Sequence, residues 1–113
     1  MKIINQTKHS VLAERAEVAD TPSSRAKGLL GRTGLDQGEA LILDPCSSIH
    51  TFFMKFSIDV LFLDKQNKVV KIAKNLKPGR LFGTILKGKL CIELPVGIID
   101  KTGTGKGDQI FLE

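Results

Sequence analysis

The chain is short of the residues that would single out a special class. Its 113 residues include two cysteines, no tryptophan and no tyrosine, and 5% are aromatic. Cys46 and Cys91 are too few for a disulfide scaffold, and the four thiols of a structural zinc site are not available. Long apolar runs are missing too. The longest nearly uncharged stretch, about Ala40 to Ser48, falls far short of the ~20 residues a membrane helix needs. The N-terminus, Met1-Lys2-Ile3-Ile4-Asn5-Gln6, turns polar before an apolar leader core can form. No linker, repeat or low-complexity tract divides the chain. One domain, 1–113, is expected, in a cytoplasmic, reducing setting, with no cofactor and no metal.

What is present is an ordinary globular composition, 42% hydrophobic and 26% charged. A chain of this length buries roughly two-thirds of its unfolded surface, enough for a core without staples. The net charge of +5 is unevenly spread. Lys65, Lys68, Lys71, Lys74, Lys77, Arg80, Lys87 and Lys89 occupy residues 65–89 with no acidic residue among them. Such a segment can attract phosphate-rich partners by counterion release. The first six recur every third position, however, and a strand would split them between its two faces. Only Phe82 interleaves as a base-stacking platform, where single-strand binders use several. A solvated basic rim is the stronger reading, and nucleic acid the weaker one.

The local patterns are mostly those of strands. Lys2–Asn5, Glu39–Leu43, Ile49–Phe56, Ile58–Leu63, Lys68–Ala73, Leu90–Leu94 and Gln109–Leu112 read as strands, with a turn at Pro45-Cys46. Val11–Ala19 fits helix or strand, Leu12, Ala16 and Val18 sharing a face in the second case. A helix is clear over Pro22–Arg32: Thr21 caps it, Pro22 suits its first position, and Ala26, Leu29 and Leu30 lie on one side. Gly31 or Gly34 would end it. Asp64-Lys65-Gln66-Asn67 reads as a hairpin turn with Asn67 able to take positive φ. Residues 75–88, with Pro78-Gly79, read as a loop, and 96–102 as a helical turn. The expected fold is mainly β, a small β-barrel or sandwich with one short helix at about 22–32.

Chemistry concentrates in residues 44–59, where Cys46, His50 and Asp59 occur among four of the six phenylalanines, counting Phe62 just beyond. A neighbouring base or cation can make a thiol nucleophilic, and an acid can orient the base. Cys46 and His50 are four residues apart, about 13 Å if extended, so they meet only if Cys46-Ser47-Ser48 turns back. Asp59 stands in an apolar run, where it either faces water at a strand end or is buried with a partner. His50, Lys55, Arg25 and Arg32 are the basic candidates. Glu93, between Ile92 and Leu94, poses the same question, and reads as the exposed residue of an alternating strand. His50, Cys46, Asp59 and Glu93 suit a metal in type but not in spacing. The Gly103–Asp108 run lacks the P-loop spacing and reads as a turn before the last strand.

Four ordered segments carry a resemblance: Thr21-Pro22-Ser23-Ser24-Arg25-Ala26-Lys27-Gly28-Leu29-Leu30-Gly31-Arg32, Ile49-His50-Thr51-Phe52-Phe53-Met54, Ile58-Asp59-Val60-Leu61-Phe62-Leu63-Asp64 and Glu93-Leu94-Pro95-Val96-Gly97. Over nearly its whole length the chain resembles the uncharacterised domain-of-unknown-function family 192. The resemblance implies a mainly β single domain with a short helix after the first strands, and favours strand over Val11–Ala19. It implies signature positions at Arg25, Gly28, Leu29, Arg32, His50, Thr51, Met54, Asp59, Asp64, Glu93, Pro95 and Gly97, and no known activity, substrate or cofactor. Many relatives resemble exported or lipid-anchored proteins, a segment this chain does not show. Cys91 stands where a small aliphatic residue is expected, which favours packing.

Three functions remain open. A binding module would hold a small anionic ligand or a protein partner at a face around Arg25, His50 and Asp59, with Arg32, Thr51 and Glu93 contributing. A thiol-dependent hydrolase or transferase would use Cys46 as nucleophile, His50 as base and Asp59 as orienter. A nucleic-acid binder would use 65–89.

Overall fold

A five-stranded sheet divides the molecule, and both of its faces are covered. In the computed structural model, which describes residues 1–83 and 89–113, the first strands are β1 (Ile3–Asn5), β2 (Ser10–Ala13) and β3 (Arg15–Ala19), followed by helix α1 (Pro22–Lys27). Strands β4 (Glu39–Leu43), β5 (Ser48–His50), β6 (Ile58–Leu63), β7 (Val69–Leu76), β8 (Leu81–Gly83) and β9 (Leu90–Pro95) come next, then α2 (Ile98–Thr102) and β10 (Ile110–Leu112). The central sheet has the order β3-β4-β9-β6-β7, with β3 parallel to β4 and the other pairs antiparallel. A three-stranded sheet, β10-β1-β2, and a two-stranded one, β5-β8, complete the strands among the described residues. These sheets do not close into a barrel; the sandwich-like form of the expected mainly β fold is the one observed.

Two cores follow from alternation along β6 and β9. Leu61, Leu63, Ile92 and Leu94 face one way, onto Ile3, Leu12, Ile98, Ile99 and Ile110. Val60, Phe62 and Cys91 face the other, onto Leu29, Ile49 and Met54. Because both faces are covered, every residue of β6 and of β9 is buried, as near-continuous apolar runs require. That corrects the expectation for Glu93. It is not the wet residue of an alternating strand but a buried carboxyl, 4% exposed.

Several boundaries differ from the sequence expectation for identifiable reasons. Residues 11–19 form two strands in two sheets, because the amides of Glu14 and Arg15 both donate to the Gly38 carbonyl (2.9 and 2.8 Å) and turn the chain. Leu12 and Ala16 are buried, while Val18 is exposed. Helix α1 has the expected Thr21 cap, with Ser24 completing a reciprocal capping box, but ends at Gly28 rather than Gly31 or Gly34. Gly28 takes φ +47°, and its amide closes on the Ser24 carbonyl, so the chain swings out of the helix and sends Leu29 into the core. The strand expected over 49–56 covers only 48–50, since Thr51 begins a turn. Within the loop expected over 75–88, Asn75 and Leu76 end β7 and Leu81–Gly83 pairs with β5; residues 84–88, including Lys87 of the basic run, lie outside the described residues. The 64–67 hairpin turn, with Asn67 at φ 60°, matches its expectation.

Candidate functional site

On the side of the sheet that carries α1, a cleft of about 440 Å³ opens between the helix, the β4–β5 turn and β9. Its size lies within the range of small-molecule sites. Arg25, Lys27 and Gly28 line it from the helix, Cys46 and His50 from the turn and β5, and Glu93 from β9. Arg25 spans the opening: its Nε donates to the Thr21 carbonyl (3.3 Å) and its Nη1 to the Pro45 carbonyl (3.0 Å), tying helix to turn. The His50 ring is exposed and stacks on Phe52, with centroids 5.4 Å apart.

Glu93 gives the cleft its chemistry. Its Oε1 is buried and has no hydrogen-bond partner among the described residues, and a Cβ placed on Gly28 would lie 4.0 Å from it. Removing a carboxylate from water without a partner disfavours its charge. Burial, with the Cys46 charge adding to it, pushes the carboxyl up to about 8. At neutral pH the group is therefore mostly the neutral acid, able to donate one hydrogen bond and accept others.

The two cysteines meet behind this carboxyl. The Cys46 amide donates to the Lys89 carbonyl (2.8 Å), and β4 and β9 pair Leu43 with Cys91, so the turn folds Cys46 back over β9. A hydrogen bond from Cys91 holds the Cys46 thiol below its ordinary value despite burial, and the Arg25 charge acts in the same direction. The Cys91 thiol is pushed well up, first by that hydrogen bond and then by burial. As a neutral thiol, Cys46 Sγ donates to the Ser48 carbonyl at 3.1 Å, not to the His50 ring.

The expected site residues thus divide. Arg25, Cys46, His50 and Glu93 line one cleft; Asp59, Thr51 and Arg32 do not. Asp59 lies on the opposite face of the central sheet, and its partners are not the expected His50, Lys55, Arg25 or Arg32. Its Oδ1 accepts from the Asn75 amide (2.9 Å), and its Oδ2 from those of Gly97 and Ile99 (both 3.1 Å). The carboxylate anchors the start of α2 and the end of β7. Thr51 is fully buried; its hydroxyl donates to the Lys77 carbonyl (2.6 Å) and accepts from the Arg80 amide (2.9 Å). Arg32 pairs with Glu17 at 2.9 Å on the surface. Within the basic run, Lys71 lies over the Phe82 ring, 4.3 Å from its centroid, while Lys74 pairs with Asp100 at 2.6 Å, as expected of opposite strand faces. No three His, Cys, Asp or Glu side chains converge as metal ligands among the described residues.

Sequence reasoning missed Lys27 as a lining residue and Cys91 as the partner of Cys46. Nothing in residues 46 and 91 announces their contact, which depends on strand register. Gly28 and Met54 were flagged only through the family resemblance.

A family model described as Uncharacterized ACR, DUF192, matches residues 3–112. A UPF0127 protein of Thermococcus sibiricus is 38% identical over 98% of this chain and 74% of its own length. One from Pyrococcus abyssi is 36% identical over 96% and 94%. Among solved structures, a protein of unknown function from Novosphingobium aromaticivorans superposes with a TM-score of 0.87 at 23% identity, covering 99% of this chain and 84% of its own. It shares the fold.

Proposed function

The chain belongs to the DUF192 family, whose description assigns no activity, and we propose from the cleft itself that this member binds a small anionic metabolite there. The observation that carries the reading is the buried, unpartnered Oε1 of Glu93 at the cleft. An unsatisfied buried polar atom costs stability, and a ligand atom that pairs with it removes that cost. As a neutral acid, Glu93 can meet an oxygen of the ligand. Arg25 and Lys27 supply positive charge to its anionic end, and His50 a further ring nitrogen. Asp59 belongs to the scaffold of this site rather than to its contacts. The cytoplasmic setting belongs to the same reading, since a reducing compartment keeps Cys46 and Cys91 as free thiols.

The test is thermal denaturation with a panel of probes: inorganic phosphate, acetate, succinate and citrate. At 100 times its dissociation constant a ligand adds about 2.7 kcal/mol, a shift of several degrees. At least one probe should raise the midpoint, and Arg25→Gln and Glu93→Gln should each reduce the shift. A flat response to every probe, or one unaffected by both substitutions, overturns the reading.

The lowered Cys46 thiol favours a second reading. Here Cys46 is the nucleophile of a hydrolase or transferase and His50, lining the same cleft, its base, while Asp59 takes no part. Iodoacetamide should then label Cys46 several-fold faster than free cysteine at pH 7. Labelling at the ordinary rate removes this reading and leaves the first.

A further inference from the structure

Beyond the cleft, the turn after β5 presents apolar surface that the described residues leave largely uncovered. Phe53 is 91% exposed, Leu81 72% and Phe52 42%. They are close in space because β5 and β8 pair His50 with Leu81, and the Thr51 amide donates to the Arg80 carbonyl at 2.8 Å. The platform beneath them is firmly held. Besides its hydroxyl bonds, the Thr51 carbonyl accepts from the amides of Met54 (3.2 Å) and Gly79 (2.9 Å). Thr51 thus clamps two turns to each other, and on top of the clamp Phe53 is held at φ 64°. In a turn closed from Met54 to Thr51, that third position ordinarily falls to glycine or asparagine. A bulky residue there is strained, and such strain marks functional positions. Folding alone supplies no reason to put a phenylalanine where it gains no burial.

The segments that form this tip carry charge of one sign. Lys55, Lys77 and Arg80 are all exposed beside it, and residues 45–58 and 65–83 contain no Asp or Glu. Aromatic and aliphatic side chains projecting from a basic collar fit a surface that is apolar just below a negatively charged layer. We propose that this tip docks on an anionic lipid bilayer, with Phe52, Phe53 and Leu81 entering the headgroup boundary and Lys55, Lys77 and Arg80 meeting lipid phosphates. This peripheral contact needs no membrane-spanning helix, and no helix among the described residues is long and apolar enough for one. It does not rest on the cleft ligand, although Phe52 stacks on His50, which lines the cleft.

The absence of tryptophan and tyrosine makes Phe53→Trp a clean reporter. On vesicles of phosphatidylcholine with 30% phosphatidylglycerol, its emission should shift to the blue; on pure phosphatidylcholine it should not. In co-sedimentation with the same vesicles, the unmodified protein should pellet with the anionic ones and be released by high salt. Phe53→Ser/Leu81→Ser should lower the bound fraction at least tenfold, and Lys77→Glu/Arg80→Glu should abolish binding. These positions are exposed, so circular dichroism should show the variants folded. No blue shift, equal binding to neutral vesicles, or binding indifferent to Phe53→Ser overturns the proposal. So does a dimer in solution that Phe53→Ser dissociates, because the tip would then be covered by a second copy.

Discussion

Asp59 and Glu93 occupy adjacent rungs of the same pair of central strands, yet they live in opposite circumstances. In the β6–β9 register Asp59 stands opposite Leu94 and Glu93 opposite Val60, so pleating sends the two carboxyls to opposite faces of the sheet. Both are almost fully buried. Asp59 is met by three backbone amides that would otherwise lack partners. Glu93 Oε1 is met by none. Burial alone therefore says nothing about role. A buried carboxylate whose lone pairs are taken holds the fold together, whereas one left open beside a cleft is available to something from outside.

The largest expected effect separates the two by stability. Asp59→Ala strands the amides of Asn75, Gly97 and Ile99, of which only Ile99 is on a buried residue; an unmet buried donor costs about 1–3 kcal/mol and the two wetter ones less. A loss of about 3 kcal/mol in chemical denaturation is expected, with α2 the first element to lose hydrogen-exchange protection. Glu93→Gln removes a carboxyl that has nothing to lose at Oε1, and should change stability at pH 6 by about 1 kcal/mol or less. Similar large losses from both substitutions would erase the distinction.

Acidity sharpens it next. In the unfolded chain Glu93 titrates near 4.5, and in the fold at about 8. Between those values the native state holds a proton that the unfolded state has released, so stability must fall as pH rises through that range and level off above it. The expected decline is about 3 kcal/mol between pH 5 and 8, and it should be missing from the stability profile of Glu93→Gln. A wild-type profile flat over that range would mean that Glu93 has found a partner.

The contrast also shows what could be read without coordinates. The apolar neighbours from Ile58 to Leu63 narrowed Asp59 to a wet strand end or a buried, partnered carboxyl, and the fold selects burial. That its partners are amides was not legible, since hydrogen bonds from Gly97 and Ile99 arise only once α2 starts over β6. For Glu93 the apolar neighbours Ile92 and Leu94 suggested alternation, and that failed because the sheet is covered on both sides, a property of the whole topology. Most strands could be read from β-branched and apolar runs and their turn residues. The residue at which α1 stops could not, because three glycines compete after it and only packing of Leu29 selects Gly28. The sequence grouped Arg25 with His50 and Cys46 with His50, each together with Asp59. Arg25, Cys46 and His50 do share the cleft, through a turn that returns the chain to β9, but Asp59 does not.

The smallest effect concerns the glycine that belongs to each carboxyl. Gly97 donates its amide to Asp59, and Gly28 faces Glu93. Both have positive φ, +96° and +47°, but Gly97 is left-handed helical with ψ −13°, whereas Gly28 with ψ −125° lies where only glycine is at ease; alanine should cost about 1–2 kcal/mol in backbone strain at Gly97 and more at Gly28. Their surroundings differ. A methyl on Gly97 meets nothing within 4 Å, whereas one on Gly28 sits 3.7 Å from the Arg25 carbonyl and 4.0 Å from Glu93 Oε1. It does not clash, but it occupies the space through which a ligand would reach that oxygen. Both Gly28→Ala and Gly97→Ala should therefore lower the melting temperature, Gly28→Ala the more. Only Gly28→Ala should also weaken the response to anionic probes, and its stability should fall with pH at least as steeply as that of the wild type, because the methyl further shields the carboxyl from water. Equal probe responses in the two variants would place the ligand away from Glu93.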